Sequence, residues 1–230
     1  MTAADLAAVG VPTGTSRADI AAAAEHMRAA LTALGFDTSR DGVEKTPERF
    51  VRALDELTWG RHLEPRRHLA TTFRPEGHTA IAVRGIPVTS VCEHHLLVFD
   101  GIAVVMYVPV EGARIVGLSK LARVAQEYAA RATVQERLTT QIADAVEQCL
   151  ATRGVAVLVR SDHSCMSSRG ARAHGADTIT DDYRGLFAED TSARVEFLIK
   201  ALGAPVASVA ELGGGSPGRL EGSRARPVRT

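Results

Sequence analysis

The sequence predicts an α+β protein in which a helical first third leads into two strand pairs separated by a helix pair. Three observations predict it. Apolar residues recur at helical spacing from about residue 16 to Gly60, β-branched runs broken by glycine and proline follow, and two more helical faces precede a second set of strand-like runs.

Composition narrows the function classes. The chain has 230 residues, 45% of them hydrophobic and 23% charged, with zero formal net charge, which suits one sizeable core. Basic and acidic residues balance at 27 each and no basic stripe is interleaved with aromatics, so no nucleic-acid partner is expected. No apolar run approaches about 18 residues and Met1-Thr2-Ala3-Ala4-Asp5 lacks a basic leader, so neither membrane partner nor secretion is expected, and the reading is cytoplasmic. Three cysteines are too few for a disulfide framework and favour metal or catalytic use in a reducing compartment.

Taken in order, residues 1–15 are small and weakly patterned and are expected to form a loose arm. Ser16 is placed to cap a helix whose face carries Ile20, Met27, Leu31 and Leu34 and which ends near Gly35. Thr46 then caps a second helix with Pro47 at its first position and Phe50, Leu54 and Leu57 on one side. Residues 61–78 form a polar connection in which His62, His68 and His78 are read as solvated, closing a helical region over 16–78. Thr79 to Ser90 reads as a strand kinked or bulged at Gly85, and Gly101 to Val110 as its antiparallel partner, closed by Pro109 and Glu111-Gly112. Leu118, Leu121, Ala125 and Tyr128 make one helical face and Leu138, Ile142, Val146 and Cys149 another, with Cys149 expected as a buried thiol. Gly154 to Arg160 reads as a buried strand, Thr178 to Phe187 as a returning strand made irregular by Asp181-Asp182, and Asp190 to Leu202 as a last helix. Residues 79–202 thus form the main unit, and 203–230, rich in Gly, Pro, Ser and Arg, an expected disordered tail.

The chemistry is concentrated in Val91 to Phe99, where Cys92, Glu93, His94 and His95 are consecutive. Cys92 and His95 can converge on one cation if the backbone bends just before Leu96; a straight strand would send them to opposite faces. Further ligands must come from elsewhere, and Cys165 follows a buried strand with His163 two residues before it, a spacing that on a strand points both to one face. Cys92, His95, His163 and Cys165 together would close a structural zinc site; three of them would leave a catalytic position open. The surplus of titratable groups, Glu93, His94 and His163, favours the open form. Ser119, Lys120 and Arg123 at a helix start, with Arg169 and Arg172 after the second ligand segment, suggest an anion pocket beside it.

Four motifs carry a resemblance: Cys92-Glu93-His94-His95-Leu96-Leu97, Val116-Gly117-Leu118-Ser119-Lys120-Leu121-Ala122-Arg123, Val134-Gln135-Glu136-Arg137-Leu138-Thr139, and His163-Ser164-Cys165-Met166 with Arg169-Gly170. From about Asp41 to Leu202 the chain resembles GTP cyclohydrolase I. The resemblance implies the tunnelling fold, ββααββ subunits closing edge to edge into a barrel, and a homodecamer of two pentamers, which would remove the open sheet edges. It implies a Zn2+ cofactor on Cys92, His95 and Cys165, with His94 and His163 left for proton transfer. It implies GTP as substrate: attack of an activated water at C8, loss of formate, ribose rearrangement and closure to 7,8-dihydroneopterin triphosphate, the first step of tetrahydrofolate, pterin or deazapurine synthesis. Ser119 and Gln135 would act near the sugar, Glu136 would accept hydrogen bonds from guanine N1 and the 2-amino group, and Lys120, Arg123, Arg169 and Arg49 would meet the triphosphate. Val98 stands where the family usually has proline, and Ser167, Ser168, Ala173 and Gly175 to Thr178 also depart from its pattern. The alternatives are a relative on this fold with changed pterin or purine chemistry, whose mark would be loss of His94, His163 or Glu136, and a non-catalytic zinc-binding protein.

Overall fold

Two strands are apolar on both faces, and the rest of the chain is layered on them. In the computed structural model, which describes residues 17–77 and 79–203, these are β3 (Val98–Pro109) and β6 (Thr152–His163). The expected arm, the Ser16 cap, His78 and the tail beyond Gly203 lie outside the described residues. β3 pairs antiparallel with β2 (Ile81–Cys92) on one side and with β6 on the other. β6 pairs antiparallel with β7 (Thr178–Gly185), and the two-residue β5 (Ala132–Thr133) adds to β2 in parallel, giving the order β5-β2-β3-β6-β7. A separate two-stranded ladder joins β1 (Thr72–Phe73) to β4 (Ile115–Val116).

Alternation sorts the central side chains onto two faces. Ala103, Val105, Tyr107, Val155, Val157 and Val159 face α3 (Leu118–Ala129) and α4 (Gln135–Cys149), where Leu121, Val124, Leu138, Ile142 and Val146 are fully buried. Burying each such aliphatic side chain contributes about 1.5–3 kcal/mol. The opposite face is covered over only part of its length: Val104, Met106, Ala156 and Leu158 meet Phe187, Phe197 and Ala201. These come from a helical turn, α6 (Leu186–Glu189), and from α7 (Thr191–Leu202), which Asp190 caps through the Ser192 and Ala193 N–H groups. Before the sheet come α1 (Arg17–Ala33) and α2 (Thr46–Leu57), packed on each other.

The α+β class and the element order follow the sequence reading, with instructive exceptions. Gly85 does mark a bulge, at φ +64° where the β2–β3 register shifts between Val83 and Ile86. The helix from Thr46 begins one residue early, with Lys45 as cap and Pro47 in its second position. Leu34 falls after α1 and is 75% exposed, and Phe50 and Leu118 are also exposed, so their apolar spacing overstates the buried faces. The 61–78 connection is not loose: Trp59–His62 and Pro65–Ala70 are 3-10 helices. His68 there is no solvated histidine; its Nε2 meets Glu127 at 2.7 Å, and Arg67 grips the same buried carboxylate at 2.6 and 2.7 Å. A buried carboxylate needs such partners, and the pair ties the connection to α3. Cys149 is exposed rather than buried, because the stripe of Ile142 and Val146 continues into the core at Leu150 and leaves Glu147, Gln148 and Cys149 on the outer side. β7 runs in regular register through Asp181 and Asp182; the carboxylates cause no irregularity because Asp182 accepts from Thr140 on α4 and pairs with Arg184.

At Gly101 the backbones of β3 and β6 approach so closely that a Cβ would lie 2.0 Å from the Arg160 carbonyl oxygen and 2.5 Å from Ser161 Cβ. Gly101→Ala is therefore expected to lower stability by about 1–3 kcal/mol or more, read as a lower midpoint in urea. Gly77→Ala, with nothing within 4 Å of the added atom, serves as the neutral comparison.

Candidate active site

The site forms at one end of the sheet, where β2 stops. From Cys92 the chain makes a tight turn closed by main-chain bonds: Cys92 N–H to the Leu97 carbonyl at 2.8 Å, and Leu96 and His95 N–H to the Cys92 carbonyl at 2.8 and 3.3 Å. Leu96 completes it at φ +54°, a left-handed conformation that costs a non-glycine residue about 1–2 kcal/mol. This is the bend the Cys92 and His95 spacing required. Cys92 Sγ and His95 Nδ1 stand 4.0 Å apart.

Cys165 arrives by a different route from the one its spacing suggested. β6 ends at His163 and Cys165 lies in a single helical turn, α5 (Ser164–Ser167), so strand alternation does not relate the two side chains. The turn carries the thiol to the clip. Donor atoms of Cys92, His95 and Cys165 all lie within 4.8 Å of one another, and together they could hold a metal ion. Donors 2.0–2.3 Å from one cation stand about 3.5 Å apart, so small side-chain adjustments suffice. Burial and the neighbouring Cys92 thiol push the Cys165 thiol up, while Arg169 pulls it down.

His163 belongs to a second cluster rather than to the ligand group. Its Nε2 is 2.7 Å from Gln135 Oε1, and its ring stacks on Phe99 with centroids 4.5 Å apart and planes 11° apart. Burial lowers the imidazole pKa, opposed by the Glu136 and Asp162 carboxylates, so Glu136 stands within electrostatic reach of this ring. Gln135 and Glu136 open α4, and β5 just before them pairs Thr133 with Cys92. That short parallel pairing brings the start of α4, with Gln135 and Glu136, to the clip. Glu93 fastens it further through a two-point ion pair with Arg137, which holds its carboxyl below the usual range. His94 is exposed, edge-on to His95 with centroids 6.2 Å apart.

The cations are distributed unevenly. Among the described residues Lys120, Arg123, Arg169 and Arg172 make no ion pair, whereas most other arginines are bonded to carboxylates or carbonyls. Ser119, Lys120 and Arg123 occupy the start of α3, which has no acidic residue in its first turn and no side-chain cap, leaving N–H groups and positive charge together. Arg49 is not drawn into this cluster within the chain. Its guanidinium donates to the Gly42 carbonyl at 3.1 Å and lines a shallow hollow of about 200 Å³ with Asp41, Gly42, Glu44 and Lys45. Phe99, Ser161 and the Glu93–Arg137 pair escaped the sequence reading. Ser161 shares a strand face with His163 two residues on, a signal that was available; the stacking of Phe99 on His163 comes from the β3–β6 register and was not.

Comparison with known proteins agrees with this geometry. The sequence profile described as GTP cyclohydrolase I matches residues 23–201. The chain belongs to the GTP cyclohydrolase I family, and it is an enzyme of that family. It is 45% identical over 184 residues to GTP cyclohydrolase 1 of Mycolicibacterium vanbaalenii, covering 80% of this chain and 91% of that one. It is 45% identical over 189 residues to the same-named protein of Mycobacteroides abscessus, 82% and 92% of the two chains. For that of Rhodopirellula baltica the figures are 46% over 180 residues and 78% of each chain.

Cys92→Ala is expected to reduce the bound metal at least tenfold, measured by elemental analysis of the purified protein, while the far-ultraviolet circular dichroism stays unchanged. His94→Ala, which removes an imidazole outside the ligand group, is expected to retain the metal.

Proposed function

We propose that this chain converts GTP and water into formate and 7,8-dihydroneopterin triphosphate. The observation that carries the reading is the convergence of Cys92, His95 and Cys165 beside a half-buried His163 and a carboxylate, Glu136, at the same sheet end. Two thiols and one imidazole suit zinc, and three protein donors leave a coordination position open. Zinc bound there would supply Lewis acidity that lowers the pKa of water to about 7.

The residues then divide the labour. Glu136, exposed in the first turn of α4, accepts hydrogen bonds from guanine N1 and the 2-amino group; adenine offers no such donor pair, so the carboxylate rejects it. His163, neutral near pH 7 because burial lowers its pKa, takes and returns a proton as water adds at C8 and the C8–N9 bond opens. A second water then splits the formamide to formate, and ring closure after rearrangement of the ribose releases one water, so one water is consumed overall. His94 is the second acid and base, and Ser119 serves the sugar. The triphosphate lies along Lys120, Arg123 and Arg169, which make no ion pair among the described residues. Arg49 joins that set from a neighbouring subunit, because within its own chain it bonds to Gly42.

That last assignment presumes a ring. β2 and β7 are open edges apart from the two-residue β5, and joining subunits edge to edge in the tunnelling fold, as two pentamers face to face, satisfies them. In this reading residues 79–202 are the catalytic unit and 16–78 its helical approach. No helix among the described residues is long and apolar enough to cross a membrane; the setting proposed here is the cytoplasm. The product feeds tetrahydrofolate or other pterin synthesis.

Incubation with GTP should release formate and a pteridine chromophore in equal amounts; formate alone would limit the enzyme to ring opening, and neither product would sink the proposal. His163→Ala should retain zinc and lose at least 100-fold in turnover, within the range expected for removing a general acid or base. Loss of zinc from that variant would instead make His163 a ligand. Glu136→Gln is expected to lower kcat/KM for GTP by about 100-fold or more, the scale of one charge-assisted contact.

A further inference from the structure

We infer that Gln135, Ser161 and Phe99 are positioning residues that hold His163 with its hydrogen on Nε2, so that Nδ1 is the ring atom that exchanges protons with substrate. The inference rests on the proposed role of His163 and moves Gln135 from the sugar to the imidazole.

The orientation of the Gln135 amide decides the matter. Its Nε2 lies 3.0 Å from the Val159 carbonyl, 3.0 Å from the Thr178 carbonyl and 3.1 Å from Thr180 Oγ1. Main-chain carbonyls only accept, so the amide nitrogen must stand there and the oxygen must point the other way. The hydroxyls agree. Thr139 donates to the Gln135 carbonyl at 2.9 Å, so Thr180 donates to Thr139 across 2.6 Å and keeps a lone pair for the amide. Proton directions are thereby fixed around a closed loop of α4 and β7.

On the other side Gln135 Oε1 meets two groups, Ser161 Oγ and His163 Nε2. A carbonyl oxygen cannot donate, so His163 Nε2 carries the hydrogen in both the neutral and the charged ring. Nδ1 has no protein partner among the described residues and is left to gain and lose the proton. Phe99, stacked on the ring and only 1% exposed, opposes rotation of the imidazole out of this arrangement. Gln135 and Ser161 are 1% and 2% exposed. With its oxygen accepting twice and its nitrogen donating into three acceptors, the Gln135 amide has nothing to offer a ribose hydroxyl.

The test uses the metal-loaded protein labelled with nitrogen-15 in histidine, alongside kinetics with GTP. Wild type should show His163 protonated at Nε2 and bare at Nδ1. Gln135→Met, which keeps the volume and removes the acceptor, should mix the two tautomers and lower kcat about 10–100-fold, the range for a partner that orients an imidazole through its other nitrogen, with KM and metal content unchanged. Thr140→Val, on the same helix–strand seam but bonded to Asp182, should lower thermal stability without touching kcat. If Gln135→Met does not fold, Gln135→Asn, too short to reach the ring, takes its place with the same expectation. An Nδ1-protonated ring in wild type, or full kcat in the folded variant, would overturn the inference. Absence of GTP turnover in wild type would instead strike the proposed function, because the tautomer is read from the nitrogen spectrum whether or not the protein turns over.

Discussion

Everything at the active end depends on the register of β3 between its neighbours. Phe99 stands opposite Ser90 on β2 and opposite His163 on β6, so one row across the sheet fixes the distance between the two segments that carry thiols. The clip begins two residues beyond Ser90 and the Cys165 turn begins directly after His163. A slip of one residue in the β3–β6 pairing would send His163 to the other face and break both the Phe99 stack and the bond to Gln135, and a slip in the β2–β3 pairing would displace Cys92 relative to that row. The close approach at Gly101 and the double-sided apolar runs of β3 and β6 are what hold that register, because any shift would expose valines on one face and bury charges such as Arg160 and Asp162 on the other.

A second constraint is electrostatic. The structure spends most of its arginines on internal partners: Arg131 on the Gly60 and Leu63 carbonyls, Arg194 on those of Phe187 and Ala188, Arg184 on Asp144, Glu147 and Asp182. Such pairs at partly exposed positions contribute little each, but they remove cations from competition. What is left over is local. Among the described residues Lys120, Arg123, Arg169 and Arg172 make no ion pair; they lie on two segments, α3 and the loop after α5, and Arg169 acts electrostatically on the Cys165 thiol. The formal net charge of zero conceals this, since the balance is struck by pairing elsewhere.

Much of this was legible in the sequence, and the failures have physical causes. The bend before Leu96 could be derived because a thiol and an imidazole three apart cannot meet on a strand. The bulge at Gly85 rested on a residue type that favours that backbone shape, and the last helix was legible to within one residue of its start, where Asp190 proves to be the cap. What failed depended on distant partners. His68 looked solvated because its neighbours in sequence are polar, yet the carboxylate that buries it lies 59 residues away on α3. Cys149 fits a helical stripe, but Leu150 beside it takes the core position, and spacing of three or four residues from Val146 allows either one to do so. Cys165 was assigned a strand direction from its spacing to His163, whereas the strand had already ended.

Val98, where the resemblance led to the expectation of a proline, raises the question of what keeps the clip rigid. Proline would stiffen the turn by restricting φ in the unfolded chain as well as in the folded one. Here stiffness comes from elsewhere: three main-chain bonds close the turn, Val98 pairs with Val91 as the first residue of β3, and Glu93 is clamped to Arg137 on the helix that carries Gln135. A non-glycine residue at φ +54° persists only where its surroundings over-determine it, and Leu96 is such a residue in the absence of any proline. The strain has a use. By reversing the chain within three residues it turns His95 toward Cys92 and leaves His94 edge-on and exposed, so two adjacent imidazoles of identical chemistry are separated by backbone geometry alone, one inside the group that could hold a metal ion and one outside it.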